Sequence, residues 1–330
     1  MCCTLTSLAL AGSAQGVLVY DRVHAGHREI VVAKDDGSAR HVIAKGIFPV
    51  VSPDGRNVAF FAGRRGKRGL WVVRIDGRHA RRYVSHTDAR NIAATLYDPF
   101  RWSPNSRYIL GNISTPCAGT LRKVGCGAAT LIRVGRGVVA RYRKVDIVDG
   151  VTFSPDSRKF VLARVTGDGS SQGGGGLLEL GGTRRPGNLR LLGSGERPNW
   201  GRPGLAFLRA DTKSGVDEVD LVTSPGAPPR TLFTQMPGGN RLDDIVQWTV
   251  GTGDLLIGLL DAAADIEPAL IDPRTAAVQE FPQRLMALSA ISRDGSTVLG
   301  ESLQGEVVRV RADGNVKVLA SHADSATWTS

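Results

Sequence analysis

Carboxylates recur at one position of a repeated turn, and they are the first residues of this chain that could do chemistry. Asp54, Asp156 and Asp294 each lie two residues after a serine and shortly before a hydrophobic run. Catalytic or metal-binding carboxylates must converge on one point, whereas an aspartate in a turn accepts hydrogen bonds from backbone amides ahead of it. Because the three copies belong to different repeats, we interpret these aspartates as structural.

Motifs of established catalytic mechanism are absent from the sequence. It contains no Gly-x4-Gly-Lys-Ser/Thr phosphate loop and no His-Glu-x-x-His helix, and the Gly-x-Ser-x-Gly spacing occurs only at residues 169–173, in a glycine-rich run without the helical pattern that follows a nucleophile elbow. The six histidines are scattered and are expected to be solvated: His24, His27, His41, His79, His86 and His322. We therefore expect no catalytic residue and no cofactor.

The alternative is a protein that binds calcium as its cofactor. Calcium needs six or more converging oxygen ligands. The carboxylates that could supply them at the mouth of a channel are Asp88, Asp98, Asp146, Asp149, Asp243 and Asp244. Their spacing along the chain does not show convergence.

The sequence is strongly basic, and its charge is divided unevenly between two parts of the chain. The net charge is +11, and residues 51–200 contain 26 Lys and Arg against 10 Asp and Glu, whereas residues 201–330 contain 11 against 17. Such a surface steers and orients an anionic partner, although an arginine-rich composition could also serve solubility alone. An aromatic content of 6% and the absence of helix-turn-helix or zinc-finger spacing argue against nucleic acid.

The turn itself recurs with a regular period. Three clear copies begin at Val51, Trp102 and Phe153, and three weaker copies begin at Trp200, Trp248 and Ile291. Their starting points are 43 to 51 residues apart. A period of about 40–50 residues filled with short strands is typical of a β-propeller blade.

Blade anatomy predicts how the ring closes. In one repeat, residues 48–51, 57–61, 70–74 and 80–84 are expected to form the four strands. Residues 17–44 supply three outer strands without an inner one, and residues 326–330 repeat the inner-strand pattern at the other end. We predict an all-β propeller of four-stranded antiparallel blades, closed by pairing of the N- and C-terminal strands. Seven blades are favoured, and six are possible if one weak repeat is an insertion.

These repeats resemble the TolB-type propeller repeat. The resemblance rests on residues 51–56, 102–107, 153–158 and 291–296, and it covers nearly the whole chain after residue 15. It implies a periplasmic or secreted propeller, most often a binding platform. The sequence leaves no room for the separate N-terminal α/β domain of TolB, so the resemblance implies no role in the Tol system.

The N-terminal segment and the cysteines both indicate export. Residues 1–15 are apolar and small, like a truncated secretory signal without its basic region, and residues 16–330 form the single propeller domain. The alternative is a short first strand of a cytoplasmic protein. Cys117 and Cys126 lie in one glycine-rich segment and predict a local disulfide that contributes about 2–3 kcal/mol, with two free thiols as the alternative. No run of eighteen apolar residues could span a membrane.

Binding residues are expected in the loops on the face opposite the repeated turns, because rigid sheets hold variable loops there. The candidates are charged: Arg64, Arg65, Lys67, Arg68, His86, Asp88, Arg90, Arg122, Lys123, Asp243 and Asp244. We expect an exported, monomeric, non-enzymatic platform for a protein or an anionic cell-envelope polymer. The alternative is a calcium-dependent hydrolase or lyase that acts at the channel mouth.

Overall fold

The computed structural model describes residues 16–62, 69–85, 100–112, 129–142, 148–165, 176–211, 216–224, 226–235, 241–263 and 265–329. Within these ranges, 28 strands form seven antiparallel sheets of four strands each, and no helix is present. The protein is therefore a seven-bladed β-propeller. The prediction of seven blades is confirmed, and the alternative of six is wrong.

Blade 1 is built from both ends of the described chain. It contains β28 (Ala323–Thr329), β1 (Val17–His24), β2 (His27–Lys34) and β3 (His41–Lys45). In its register Leu18 pairs with Trp328, and the Val17 amide donates to Thr329 Oγ1 at 3.3 Å. The predicted closure of the ring by its termini is confirmed.

Blades 2 to 7 follow in chain order. Blade 2 contains β4 (Ile47–Val51), β5 (Asn57–Ala62), β6 (Gly69–Arg74) and β7 (Arg81–Ser85). Blade 3 contains β8 (Phe100–Trp102), β9 (Tyr108–Asn112), β10 (Ala129–Arg133) and β11 (Gly137–Tyr142). Blade 4 contains β12 (Val148–Phe153), β13 (Lys159–Val165), β14 (Gly176–Gly182) and β15 (Arg190–Ser194).

The second half of the ring has the same plan. Blade 5 contains β16 (Glu196–Trp200), β17 (Leu205–Asp211), β18 (Val216–Val222) and β19 (Arg230–Thr234). Blade 6 contains β20 (Arg241–Trp248), β21 (Leu255–Leu260), β22 (Ile266–Ile271) and β23 (Val278–Glu280). Blade 7 contains β24 (Ala287–Ile291), β25 (Thr297–Glu301), β26 (Glu306–Arg311) and β27 (Val316–Ser321). We name the strands of each blade A to D from the channel outward.

The middle strands carry continuous apolar runs because each blade is packed between two others. In β5, four successive residues from Val58 to Phe61 are buried, and β21 is buried from Leu255 to Leu259. A strand that is buried on both faces does not show the alternation of a half-exposed one. Within the described part of the chain, the buried residues form seven hydrophobic clusters, each of which joins two neighbouring blades, and one of these joins blade 7 to blade 1.

The outer strands contain a recurrent irregularity. In six blades the pairing of strands C and D shifts by one residue, leaving an extra residue in strand D: Ile43, Tyr83, Val139, Leu192, Leu232 and Leu319. A bulge twists an edge strand and discourages pairing with another chain. In blade 6 the outer strand is instead only three residues long.

Candidate binding site at the channel mouth

Most of the residues predicted from the sequence as binding residues lie outside the described residues. These are Arg64, Arg65, Lys67, Arg68, His86, Asp88, Arg90, Arg122 and Lys123, together with Cys117 and Cys126 of the predicted disulfide and the predicted signal at residues 1–15. Asp243 and Asp244 lie on the inner strand β20 rather than in a loop before it, and only their backbone is described.

A cavity of about 890 Å³ occupies the centre of the ring. All seven inner strands line it, and the turns between strands A and B of several blades form its rim. We call these turns the A–B turns, and the face on which they lie, together with the turns between strands C and D, the turn face. The cavity therefore opens on the face that carries the repeated turns, whereas the sequence predicts the binding residues on the opposite face.

Polar side chains form a belt inside the channel. Four of them are the second-last residue of an inner strand, two residues before the start of the A–B turn: Arg101, Thr152, Asn199 and Gln247. The fifth, Thr327, is the third-last residue of β28. Inner-strand edges expose unpaired backbone groups, and the belt satisfies several of them across blade boundaries. The Val51 amide donates to Thr327 Oγ1 at 3.2 Å, the Trp200 amide to Thr152 Oγ1 at 2.9 Å and the Ile291 amide to Gln247 Oε1 at 3.4 Å.

Two tryptophans bridge neighbouring inner strands in the opposite direction. The indole N–H of Trp102 donates to the Val50 carbonyl at 2.9 Å, and that of Trp248 donates to the Asn199 carbonyl at 3.0 Å. The wall of the channel is therefore a cross-linked surface. The belt has one charged side chain, the half-buried Arg101.

The A–B turns of blades 2, 3 and 4 are built identically. In blade 2, Ser52 Oγ donates to Asp54 Oδ1 at 2.6 Å, and the same carboxylate oxygen accepts the Arg56 amide at 3.2 Å. The Asn57 amide completes the turn by donating to Ser52 Oγ at 2.9 Å. Equivalent bonds form around Asn105 in blade 3 and Asp156 in blade 4. The structural interpretation of Asp54 and Asp156 is confirmed, and that of Asp294 in blade 7 likewise.

These three turns are also bonded to one another. The Asp54 amide donates to Ser106 Oγ at 3.1 Å, and the Asn105 amide donates to Ser157 Oγ at 3.0 Å. Ser106 and Ser157 occupy the position of Gly55 and have φ values of 58° and 59°, in the left-handed region. Their hydroxyls explain why serine stands where glycine would be easier. We call residues 52–56, 103–107 and 154–158 the turn arc.

Hydrogen bonds hold two of the turn carboxyls in the ionised form. The hydroxyl of Ser154 and the amide of Arg158 lower the pKa of Asp156 below its ordinary value. The hydroxyl of Ser292 and the groups of Ser296 lower the pKa of Asp294 in the same way. These carboxylates are occupied by the turns themselves and are not arranged to bind a metal ion.

The charges of the turn face are divided between its two halves. The turns of blades 2 to 5 carry eight arginines, all exposed, against Asp54, Asp76 and Asp156: Arg56, Arg78, Arg107, Arg136, Arg158, Arg184, Arg185 and Arg202. The described turns of blades 6, 7 and 1 carry three arginines against six aspartates: Arg40, Arg274 and Arg293 against Asp35, Asp36, Asp254, Asp272, Asp294 and Asp313. The unequal division predicted from the sequence is therefore present on one face of the molecule.

Sequence reasoning missed this face because it assigned the repeated turns to structure alone. An arginine at the same position of three repeats, Arg56, Arg107 and Arg158, was the available signal. The polar belt had a similar signal, since the residue two positions before the A–B turn is polar in blades 3 to 6.

No three His, Cys, Asp or Glu side chains that could bind a metal ion together come close to one another among the residues that the structure describes. The described residues also include no helix that is long and apolar enough to cross a membrane.

Comparison with solved structures shows the same fold in proteins of different activities. The β-propeller domain of the Trilobed protease from Pyrococcus furiosus has a TM-score of 0.66 at 13% identity, over 94% of this chain and 93% of that one. Oligogalacturonate lyase in complex with manganese has a TM-score of 0.61 at 12% identity, over 94% and 87%. TolB from Acinetobacter baumannii has a TM-score of 0.53 at 12% identity, over 95% and 66%.

These similarities show the fold alone. The chain also spans 49% of a matching prolyl endopeptidase. TolB is one of several propellers that this chain resembles, so the class shown is a β-propeller protein without a more specific assignment. Comparisons with family models and with curated protein sequences found no match.

Proposed function

We propose that this protein is an exported, non-enzymatic binding platform that takes a protein or an anionic cell-envelope polymer at the channel mouth of its turn face. The observation that carries the proposal is the row of exposed arginines around an open channel whose wall carries Arg101. Guanidinium groups bind carboxylates and phosphates through paired hydrogen bonds. The acidic half of the same face repels such a ligand and so orients it.

A propeller of similar length supports an anionic polymer as the partner. Oligogalacturonate lyase shares the fold over 87% of its chain, and its name states that it acts on oligogalacturonate, an oligomer of an acidic sugar. Export is supported by the apolar segment at residues 1–15, and sequencing of the mature N-terminus in the native host tests it. A mature protein that keeps residues 1–15 would contradict export through this signal.

Charge reversal tests the proposed site. The variant R56E/R107E/R158E is expected to lose affinity for polygalacturonate, polyglutamate or polyphosphate in calorimetric titrations, because each reversal replaces attraction by repulsion. The matched control is R293E, in the A–B turn of blade 7 on the acidic half of the face. If the triple variant binds every polymer as tightly as the unchanged protein, the turn face is not the site.

The opposite face provides a competing proposal within the same function. The variant R64E/R65E/K67E/R68E tests the basic segment that the sequence indicated there. Loss of binding in this variant, with R56E/R107E/R158E unaffected, would place the site on the face opposite the turn face.

A second candidate function is a metal-dependent hydrolase or lyase that acts at the channel mouth. It is favoured by the likeness to a lyase whose structure holds manganese. Within the described residues no group of three possible ligands exists, so the ligands would be carboxylates whose side chains are not described, among them Asp88, Asp98, Asp146, Asp149, Asp243 and Asp244.

Calcium or manganese would then raise the melting temperature, and the metal-loaded protein would act on lactones, phosphoesters or acidic polysaccharides. D243N and D244N should abolish both effects. A melting temperature that neither ion changes would contradict this candidate.

A further inference from the structure

We infer that the turn arc binds a linear polyuronate, one acidic sugar per turn, as a deepening of the proposed function on which this inference rests. The three turns have the same sequence pattern, the same internal hydrogen bonds and the same two exposed side chains, a proline and an arginine. A surface that presents the same proline and arginine in successive turns suits a polymer that presents the same groups in successive monomers. Each sugar of a polyuronate supplies one carboxylate for the arginine and one ring face for the proline.

Hydrogen bonds between the turns fix their relative positions, which favours multivalent binding. The bonds from the Asp54 amide to Ser106 Oγ and from the Asn105 amide to Ser157 Oγ fix each turn relative to the next. Once one sugar is bound, the next is held near its own turn at a high effective concentration. A rigid array loses little conformational freedom when it binds a chain.

The arginines of the arc are available to a ligand. All three are exposed, and among the described residues neither Arg56 nor Arg107 forms an ion pair. Arg158 lies 3.8 Å from Asp156, but both side chains remain more than half exposed. In the middle turn, Asn105 replaces the aspartate of the other two, so that Arg107 has no carboxylate within its own turn.

The surroundings favour an acidic polymer over a protein partner. The C–D turns of blades 2 to 4 add a second row of exposed arginines behind the arc, at Arg78, Arg136, Arg184 and Arg185. Of the large exposed hydrophobic side chains in the described structure, none lies in the turns of blades 2 to 5. Protein interfaces usually depend on a few large apolar or aromatic anchors, which this surface lacks.

Oligogalacturonates of one to eight units, titrated calorimetrically, test the inference. Affinity is expected to rise steeply with length until the oligomer spans the three turns, and then to level off. R107A is expected to lower the affinity for the octamer by roughly tenfold, with R107K intermediate because lysine keeps the charge but not the paired hydrogen bonds. The slope of log affinity against log salt should fall by about one unit for each arginine removed, as for other polyelectrolytes.

Four outcomes would overturn the inference. They are a monomer that binds as tightly as the octamer, a polyphosphate of equal length that binds as tightly as the octamer, an unchanged affinity in R56A/R107A/R158A, or an equal loss in the control R293A. If the oligogalacturonates do not bind, but another anionic polymer or a protein does and R56E/R107E/R158E abolishes that binding, then only this inference is wrong. If nothing anionic binds and no partner depends on the turn arc, the proposed function fails with it.

Discussion

Single side chains hold the inner strands of this propeller to one another. Trp102 and Trp248 each use the indole N–H to reach the backbone of the preceding blade, whereas the buried indole nitrogen of Trp328 has no hydrogen-bond partner among the described residues. The same residue type therefore occurs with and without the bond, at equivalent positions of the repeat.

This difference allows a matched test of the bridging bond. W102F removes both ring volume and the hydrogen bond to the Val50 carbonyl, whereas W328F removes ring volume alone. We expect W102F to lower the free energy of unfolding by about 1 kcal/mol more than W328F does, because the Val50 carbonyl is left without its donor. Urea unfolding measures both values, and equal losses would show that the bond contributes nothing.

The turn aspartates predict a pH dependence of stability. The pKa of Asp156 is lowered in the folded protein, so its stabilising effect is complete above the ordinary value of 3.8 and is lost as the pH falls through the folded pKa. D156N should be less stable than the unchanged protein at neutral pH, and the difference should close between about pH 5 and about pH 2.

Asn105 shows that asparagine fits this turn, since its Oδ1 accepts the Arg107 amide at 3.1 Å. The reciprocal variant N105D should therefore acquire a pH dependence that the native turn lacks. Stability curves for D156N and N105D that run parallel to that of the unchanged protein would contradict the assignment.

At the scale of elements, the turn arc combines backbone strain with a bond between blades. Ser106 holds a left-handed φ and accepts the Asp54 amide. S106A keeps the strained backbone and loses the acceptor, so we expect it to cost about 1–2 kcal/mol. S106G also loses the acceptor but relieves the strain, and it should be less destabilising than S106A by about 0.5–1 kcal/mol.

Chemical unfolding of both variants provides the measurement. The slope of the unfolding free energy against denaturant concentration should equal that of the unchanged protein. An S106G protein that is less stable than S106A would show that backbone strain at this position is negligible. The same pair of variants at Ser157 repeats the test in the next blade.

At the scale of the whole molecule, the strand pairing between β28 and β1 decides whether the ring is closed. A chain that ends at residue 322 lacks β28 and leaves the inner edge of β1 without a partner. It also loses Thr327, which accepts the Val51 amide and donates to the Pro49 carbonyl in blade 2. An open apolar edge promotes association between chains.

We expect the truncated protein to unfold at a lower temperature and to aggregate. A peptide of residues 322–330 supplied separately should restore part of the melting temperature, whereas a scrambled peptide should not. A truncated chain that remains monomeric with an unchanged melting temperature would mean that the seven cluster contacts hold the ring without its closing strand. Calorimetry and size-exclusion chromatography distinguish the two results.

Much of the fold was predictable because it depends on local signals that repeat. The turns after Val51, Trp102 and Phe153 set the period, and the predicted strands of blade 2 differ from β4 to β7 by at most one residue at each end. The seventh blade was predictable because residues 17–44 lack an inner strand and residues 326–330 lack outer ones. These features depend on turn chemistry and hydrophobic runs, which are properties of neighbouring residues.

The candidate site was not predictable in the same way, because it consists of contacts between residues about 50 positions apart. The amino-acid sequence by itself determined the blade, the period of the repeats and the excess of positive charge in blades 2 to 4. Only the tertiary structure decided that Asp54 and Ser106 meet, that the A–B turns of blades 2 to 4 are bonded to one another, and that their prolines line the rim of the channel. The physical reason is ring closure. It places equivalent positions of successive blades next to one another, so that residues about 50 positions apart in the sequence become neighbours in space.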